Sequence, residues 1–236
     1  MAQTALLTMA DHADLRVRIG HGAAYGDAIN QVLVVPTEYE EVAREYPIFF
    51  RRDADGAFQS VALLGFERDE NLFLDDAGWQ ARYIPAVQRR GPFLIGMQGG
   101  QPMIHIDLDH PAIGPEGAAL FLPHGGHAPC LEAATEVLRT LHEGVEIAPA
   151  MFAAFRHYDL IEPVVAEIAI DEERQYRLPE LFTIDAAALA ALDGDALAQL
   201  NAAGALRAAF TVLSSLGNVT DLIARKRRRG GADAAA

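Results

Sequence analysis

A single cysteine, Cys130, rules out an intrachain disulfide and a cysteine-rich zinc site. No uncharged apolar run reaches the roughly 18 residues that a spanning helix needs, so no transmembrane segment is expected. The N-terminus, M-A-Q-T-A-L-L-T-M-A-D-H, has neither a basic n-region nor a long apolar core, so it is not a secretory signal, and a cytoplasmic location is expected. Gly96-Met-Gln-Gly99-Gly100 lacks the lysine and the following helix of a phosphate loop. Ser214-Ser215 lies in a helical pattern, not in a nucleophile elbow. Positive charge is scarce as well: 19 Lys and Arg against 33 Asp and Glu give a net charge of −14, a surface that repels nucleic acid. No constellation dictates a reaction, so no catalytic residue, metal or cofactor is assigned.

The chain has 236 residues, 51% of them hydrophobic and 22% charged, which suits a folded protein that buries a sizeable core without staples. Residues 1–28 read as a loose lead-in, 29–225 as one domain, and 226–236 as a basic, then Gly/Ala-rich flexible tail.

The expected fold class is α+β, with antiparallel hairpins packed against short helices and a helical C-terminal third. Thr37 and Glu40 form a capping-box pattern ahead of a stripe of Tyr39, Val42, Ala43 and Tyr46. Ile48-Phe49-Phe50 and Phe58–Phe66 read as strands joined through Asp53-Ala54-Asp55-Gly56, where glycine permits positive φ. Three helix–proline–hairpin units are suggested, with prolines at Pro47, Pro92 and Pro163; the third turns at Asp171–Glu173. Residues 109–129 hold four prolines and four glycines and read as a long loop or lid. Leu131, Ala134, Val137, Leu138 and Leu141 mark an amphipathic helix, and Pro149 opens the next one. Asp185 and Asp193 suit N-caps.

One stretch, Trp79–Gly96, stands out. It holds the only tryptophan and three arginines. Tyr83, Ile84 and Val87 recur at helical spacing, with Pro85 in the first turn and Arg89 and Arg90 in the last. Gly91 and Pro92 then end the helix ahead of a buried strand. Trp79, Arg82, Tyr83, Arg89 and Arg90 form a candidate arginine–aromatic binding patch for an anion or a partner's carboxylate. A structural corner whose arginines pair with the chain's own acids is the competing reading.

His105-Ile106-Asp107 has the H-x-D spacing of facial-triad iron sites, with His142 or His157 as a distal ligand. His124 and His127 form a second loose pair. Arg225–Arg229, R-K-R-R-R, reads either as a contact for an acidic partner or as cations at a helix end followed by a solvated tail.

The run L-F-L-D-D-A-G-W-Q-A-R-Y-I-P-A-V-Q-R-R-G-P-F (72–93) resembles the central signature of the SapC family. So do H-A-D-L-R-V (12–17), E-Y-P-I-F-F (45–50), V-A-L-L-G (61–65), L-F-T-I-D (181–185) and G-A-L-R-A-A-F-T-V-L-S-S-L-G-N (204–218). Gly91 departs from the pattern, which has an aromatic before the Pro-Phe. The resemblance implies a soluble, non-enzymatic accessory or binding protein with a protein or peptide partner, in surface-layer or peptide export. Self-association is left open. The alternative is a metal-dependent oxygenase built on His105 and Asp107, or a partner of a flavin-dependent halogenase.

Overall fold

The computed structural model describes residues 3–170 and 175–233. The N-terminal half contains β1 (Thr4–Leu6), α1 (Met9–His12), β2 (Arg16–Val17), β3 (Gln31–Val34), α2 (Tyr39–Val42), β4 (Ile48–Arg52), β5 (Phe58–Leu63), β6 (Leu74–Asp75), β7 (Gly78–Trp79), α3 (Ala86–Arg89), β8 (Phe93–Gln98) and β9 (Gln101–Asp107). There follow β10 (Ala118–Ala119), α4 (Pro129–His157), β11 (Ile161–Ala169), β12 (Gln175–Ile184), α5 (Ala186–Ala190), α6 (Gly194–Ala202), α7 (Ala205–Ser215) and α8 (Asn218–Asp233). This is an α+β fold with antiparallel hairpins and a helical C-terminal region, as the sequence implies.

Three hairpins carry the two larger sheets. β4–β5 and β11–β12 share a five-stranded sheet in the order β11-β12-β4-β5-β3, joined where Phe182 pairs with Phe50. β8–β9 heads a separate sheet with β1. The first turn forms as expected: Gly56 has φ +81°, and the Asp53 carboxylate accepts the amides of Asp55 (3.0 Å) and Ala57 (2.9 Å). The third hairpin departs from the repeat pattern, because Pro163 lies inside β11 rather than ahead of it. Its expected turn, Asp171–Glu173, falls outside the described residues.

Two apolar clusters form. The larger lies on the five-stranded sheet and under the C-terminal helices, around Phe50, Leu63, Phe73, Phe155 and Val212. The smaller joins the three-stranded sheet to the segment before α4, around Val17, Phe93, Ile106 and Leu120. α4 belongs to both. Its first half buries Leu131, Ala134 and Leu138 in the smaller cluster, and its second half buries Met151, Phe152 and Phe155 in the larger. Pro149 therefore does not open a new helix; it lies within these 29 helical residues. A mid-helix proline costs about 3 kcal/mol, which burial of three large side chains just beyond it offsets at about 1.5–3 kcal/mol each.

Other local expectations shift. The reciprocal cap near residue 37 uses different residues: Glu38 accepts the amide of Val35 at 3.1 Å, because Pro36 opens a 3-10 turn ahead of α2. Thr37 instead donates its hydroxyl to the Thr140 carbonyl on α4, at 2.8 Å. The segment read as a loose lead-in supplies β1, paired with β9, and also β2, paired with β10, where Leu15, Val17 and Ile19 alternate with Arg16 and Arg18 in the pattern of a short strand. Residues 109–129 are tied down by that second pairing and by buried Ala112 and Leu120. Asp185 and Asp193 cap α5 and α6 as expected.

The basic run Arg225–Arg229 is helical, and Arg227, Arg228 and Arg229 are exposed, whereas Lys226 is buried. It lies within α8 and docks on the chain's own acidic link. Lys226, the only lysine, donates to Glu67 (2.8 Å) and Glu70 (2.6 Å). Arg229 donates to the carbonyls of Asn71 (2.9 Å) and Leu74 (3.2 Å). The Arg225 guanidinium lies 4.2 Å from the Phe73 ring centre.

Candidate functional site

The central corner is held from behind by buried polar groups. Residues 80–85 are not helical; α3 begins only at Ala86, with Pro85 as its extended N-cap. Pro85 explains this, since the residue before a proline is biased away from helical backbone. Tyr83 and Ile84 therefore do not share a helix face with Val87. Instead, two carboxylates collect the free amides of this stretch. Glu45 accepts those of Arg82 (2.8 Å) and Tyr83 (3.2 Å). Glu38 accepts the Ala86 amide and the Tyr83 hydroxyl, each at 2.8 Å. Glu38 is buried, and that burial pushes its carboxyl up, against the lowering effect of its donors.

The five residues proposed as a patch separate in space. Trp79 is only 9% exposed, and its indole donates to the Tyr46 hydroxyl at 2.8 Å. Arg82 is exposed, Tyr83 half-buried. Arg89 stays with Tyr83, its guanidinium 5.3 Å from the ring centre. Arg90 turns into the corner and donates to the Phe93 carbonyl at 3.0 Å. So Trp79, Arg82 and Tyr83 do not share one open surface, whereas Arg89 and Arg90 do face a common space.

That space is a cleft of about 390 Å³ between the corner, the stretch after β2, the segment after β9, and the first turns of α4. Arg18, His21 and Asp27 line it from one side, Arg89 and Arg90 from the corner, and Asp107, His110 and Cys130 from behind. Gly91, at φ +53°, lets the chain reverse between α3 and β8 and so aims the corner at the cleft.

The polar groups fall into two sets. Asp27 is an anchor: it accepts from the Gly22 amide (2.7 Å) and the Gln88 side chain (2.7 Å), and lies 3.2 Å from His21 Nδ1. Burial raises its carboxyl, but these partners outweigh burial and the net shift is downward. His21 in turn meets the Trp79 ring edge-on, centroids 5.8 Å apart, so the buried indole adjoins a cleft-lining side chain. The other set is cationic. Among the described residues Arg18 makes an exposed ion pair, with Glu116 at 3.2 Å. Burial holds Arg90 below the ordinary guanidinium range, opposed by Asp107, yet an arginine remains charged. His110 Nδ1 accepts the Ala112 amide at 3.1 Å, and burial lowers its pKa; both favour a neutral ring with its proton on Nε2. Burial pushes the Cys130 thiol up, which keeps it protonated near neutrality.

Arg18, Arg89 and Arg90 thus face two aspartates, both already accepting hydrogen bonds, Asp107 from the Asp109 amide at 3.1 Å, in a chain of net charge −14. Such a set can hold an anion through charge-assisted hydrogen bonds. Arg18, His21, Asp27 and His110 escaped the sequence reading, because they come from segments as many as 92 positions apart and no local spacing links them. Among the described residues, no three His, Cys, Asp or Glu side chains converge as a metal site. His105 lies against Gly96, where an added Cβ would sit 2.4 Å from its Nε2. No single helix among the described residues is long and apolar enough to cross a membrane.

No curated protein and no solved structure matches the chain. The profile of the SapC family matches residues 7–222, a span that takes in both apolar clusters and the whole cleft, and the chain belongs to that family.

Proposed function

We propose that this SapC-family protein is a non-enzymatic accessory protein that holds a carboxylate of a peptide or protein partner in the cleft beneath the central corner. The observation that carries the reading is the convergence of Arg18, Arg89 and Arg90 on one cleft of an otherwise acidic chain. Guanidinium groups bind carboxylates by paired, charge-assisted hydrogen bonds, and the low position of Asp27 keeps His21 and Gln88 in place without adding a free anion. Surface-layer or peptide export, the association that the family name carries, is the setting proposed, in the cytoplasm.

The test uses Trp79 fluorescence, because His21 links the indole to the cleft. An oligoalanine peptide with a free C-terminal carboxylate should shift the emission in a saturable way, and its C-terminal amide should not. Arg18→Gln combined with Arg89→Gln should weaken the carboxylate peptide by about tenfold or more. Equal binding of acid and amide, or of wild type and variant, would remove the reading.

A further inference from the structure

A second cavity lies on the other side of α3, between α4 and the β3–β5 edge of the large sheet. It has a volume of about 590 Å³ and is walled by Val34, Val35, Val145, Ala148, Pro149 and Phe152. Both its size and its apolar lining are those of a small-molecule site. Beside Val35, Gly144 packs so closely that an added Cβ would lie 2.5 Å from the Val35 Cβ. Toward one end, Phe58 stacks on Phe152, centroids 5.8 Å apart, and charged groups begin.

Two charged residues mark that end, Asp53 and Arg156. Asp53 is engaged by the amides of its own turn. Arg156 is exposed, and its guanidinium has no hydrogen-bond or ion-pair partner among the described residues. From Val145 to Arg156, α4 rises about 16 Å at its usual pitch. The cavity is therefore an apolar slot along α4, with one cation that has no protein partner among the described residues at its charged end.

We propose that this slot binds a free long-chain carboxylate, with its alkyl chain along α4 and its carboxylate on Arg156. An apolar chain gains by leaving water for the valine and phenylalanine walls, and the lone guanidinium supplies a charge-assisted partner for the head group. A peptide strand or helix laid here would bring backbone amides against walls that offer few partners. A chain presented as an ester lacks the anion that Arg156 would read. The site is distinct from the arginine-lined cleft, with which it shares only Val87 as a wall, and each reading can fail without the other.

The experiment is calorimetric titration of the full chain with dodecanoate, methyl dodecanoate and acetate. Dodecanoate should bind with a negative heat-capacity change, acetate should give no heat, and the methyl ester should bind about tenfold or more weakly. Arg156→Gln should reduce wild-type affinity for dodecanoate by a similar factor and leave the ester unchanged. Ala148→Phe should abolish binding of both; Val145→Trp, at a position 62% exposed, repeats that test should the first variant not fold. Absence of dodecanoate binding, binding that survives the cavity-filling variant, or equal affinities for acid and ester would each overturn the proposal. So would a loss of dodecanoate binding in an Arg18→Gln, Arg90→Gln variant, which would place the ligand in the other cleft.

Discussion

The Trp79 indole donates to the Tyr46 hydroxyl at 2.8 Å, and that hydroxyl donates on to the Tyr83 carbonyl at 2.7 Å. One phenol thus satisfies a donor and an acceptor on both sides of the central corner. Tyr46→Phe keeps the ring but leaves both groups unpaired. Each orphaned buried group costs about 1–3 kcal/mol, so the variant should lose about 2–6 kcal/mol in a denaturant titration, with a red shift of Trp79 emission in the folded state. An unchanged midpoint would mean that water replaces the hydroxyl.

Glu38 is a buried acid with three donors aimed at it, from Val35, Tyr83 and Ala86. Glu38→Gln conserves the shape but turns an amide N–H₂ toward a donor. We expect a loss of about 1–3 kcal/mol and exposure of residues 80–86 to proteolysis. Tyr83→Phe, which removes only one of the three donors, should cost less. If the two variants are equal, the hydroxyl rather than the backbone amides is the main tie.

Asp27 supplies a pH dependence. Its folded carboxyl lies below the ordinary value because the hydrogen bonds from His21, Gly22 and Gln88 outweigh burial. A depressed folded pKa adds stability above the unfolded value of about 3.9, and that stability is lost as the pH falls through the folded value. Asp27→Asn should therefore destabilise the protein near neutrality. The gap from wild type should narrow below about pH 4. A gap independent of pH over this range would show that shape, not charge, sets the contribution of this residue.

Lys226 joins α8 to the acidic link. It is 8% exposed, and its attachment to Glu67 and Glu70 raises its pKa despite burial. Lys226→Met keeps the alkyl stem and removes the charge, stranding Glu70, whose side chain is 12% exposed. The expected cost is about 1–3 kcal/mol, discounted for the exposure of Glu67. That corresponds to a melting temperature lower by about 2–4 °C per kcal/mol. A solvated tail would predict no change.

Features decided within a few residues were legible in the sequence. The Asp53–Gly56 turn, the caps at Asp185 and Asp193, and the apolar stripe from Leu131 to Leu138 all formed as read, because each depends on local backbone geometry or on one helical period. The reversal at Gly91 did so too. The sequence also marked Arg89 and Arg90, though not the space they face.

Tertiary structure decided the rest. Helical spacing placed Tyr83 on a helix face, but Glu38 and Glu45 offered its segment better partners for free amides than a helix begun before Pro85. Pro149 reads locally as a break, yet burial on both sides of it carries α4 through. Lys226 reads as part of a helix end or a partner contact, and only the packing of α8 brings it and Arg229 to residues 67–74, more than 150 positions earlier in the chain. The arginine-lined cleft is of the same kind. Arg18 reaches it only because β2 pairs with β10, and Arg90 only because α3 ends at Arg89 and the chain reverses at Gly91. Side-chain spacing along a chain reports the face of one element, whereas a cleft is made where separate elements meet, and that meeting is set by how their apolar faces pack.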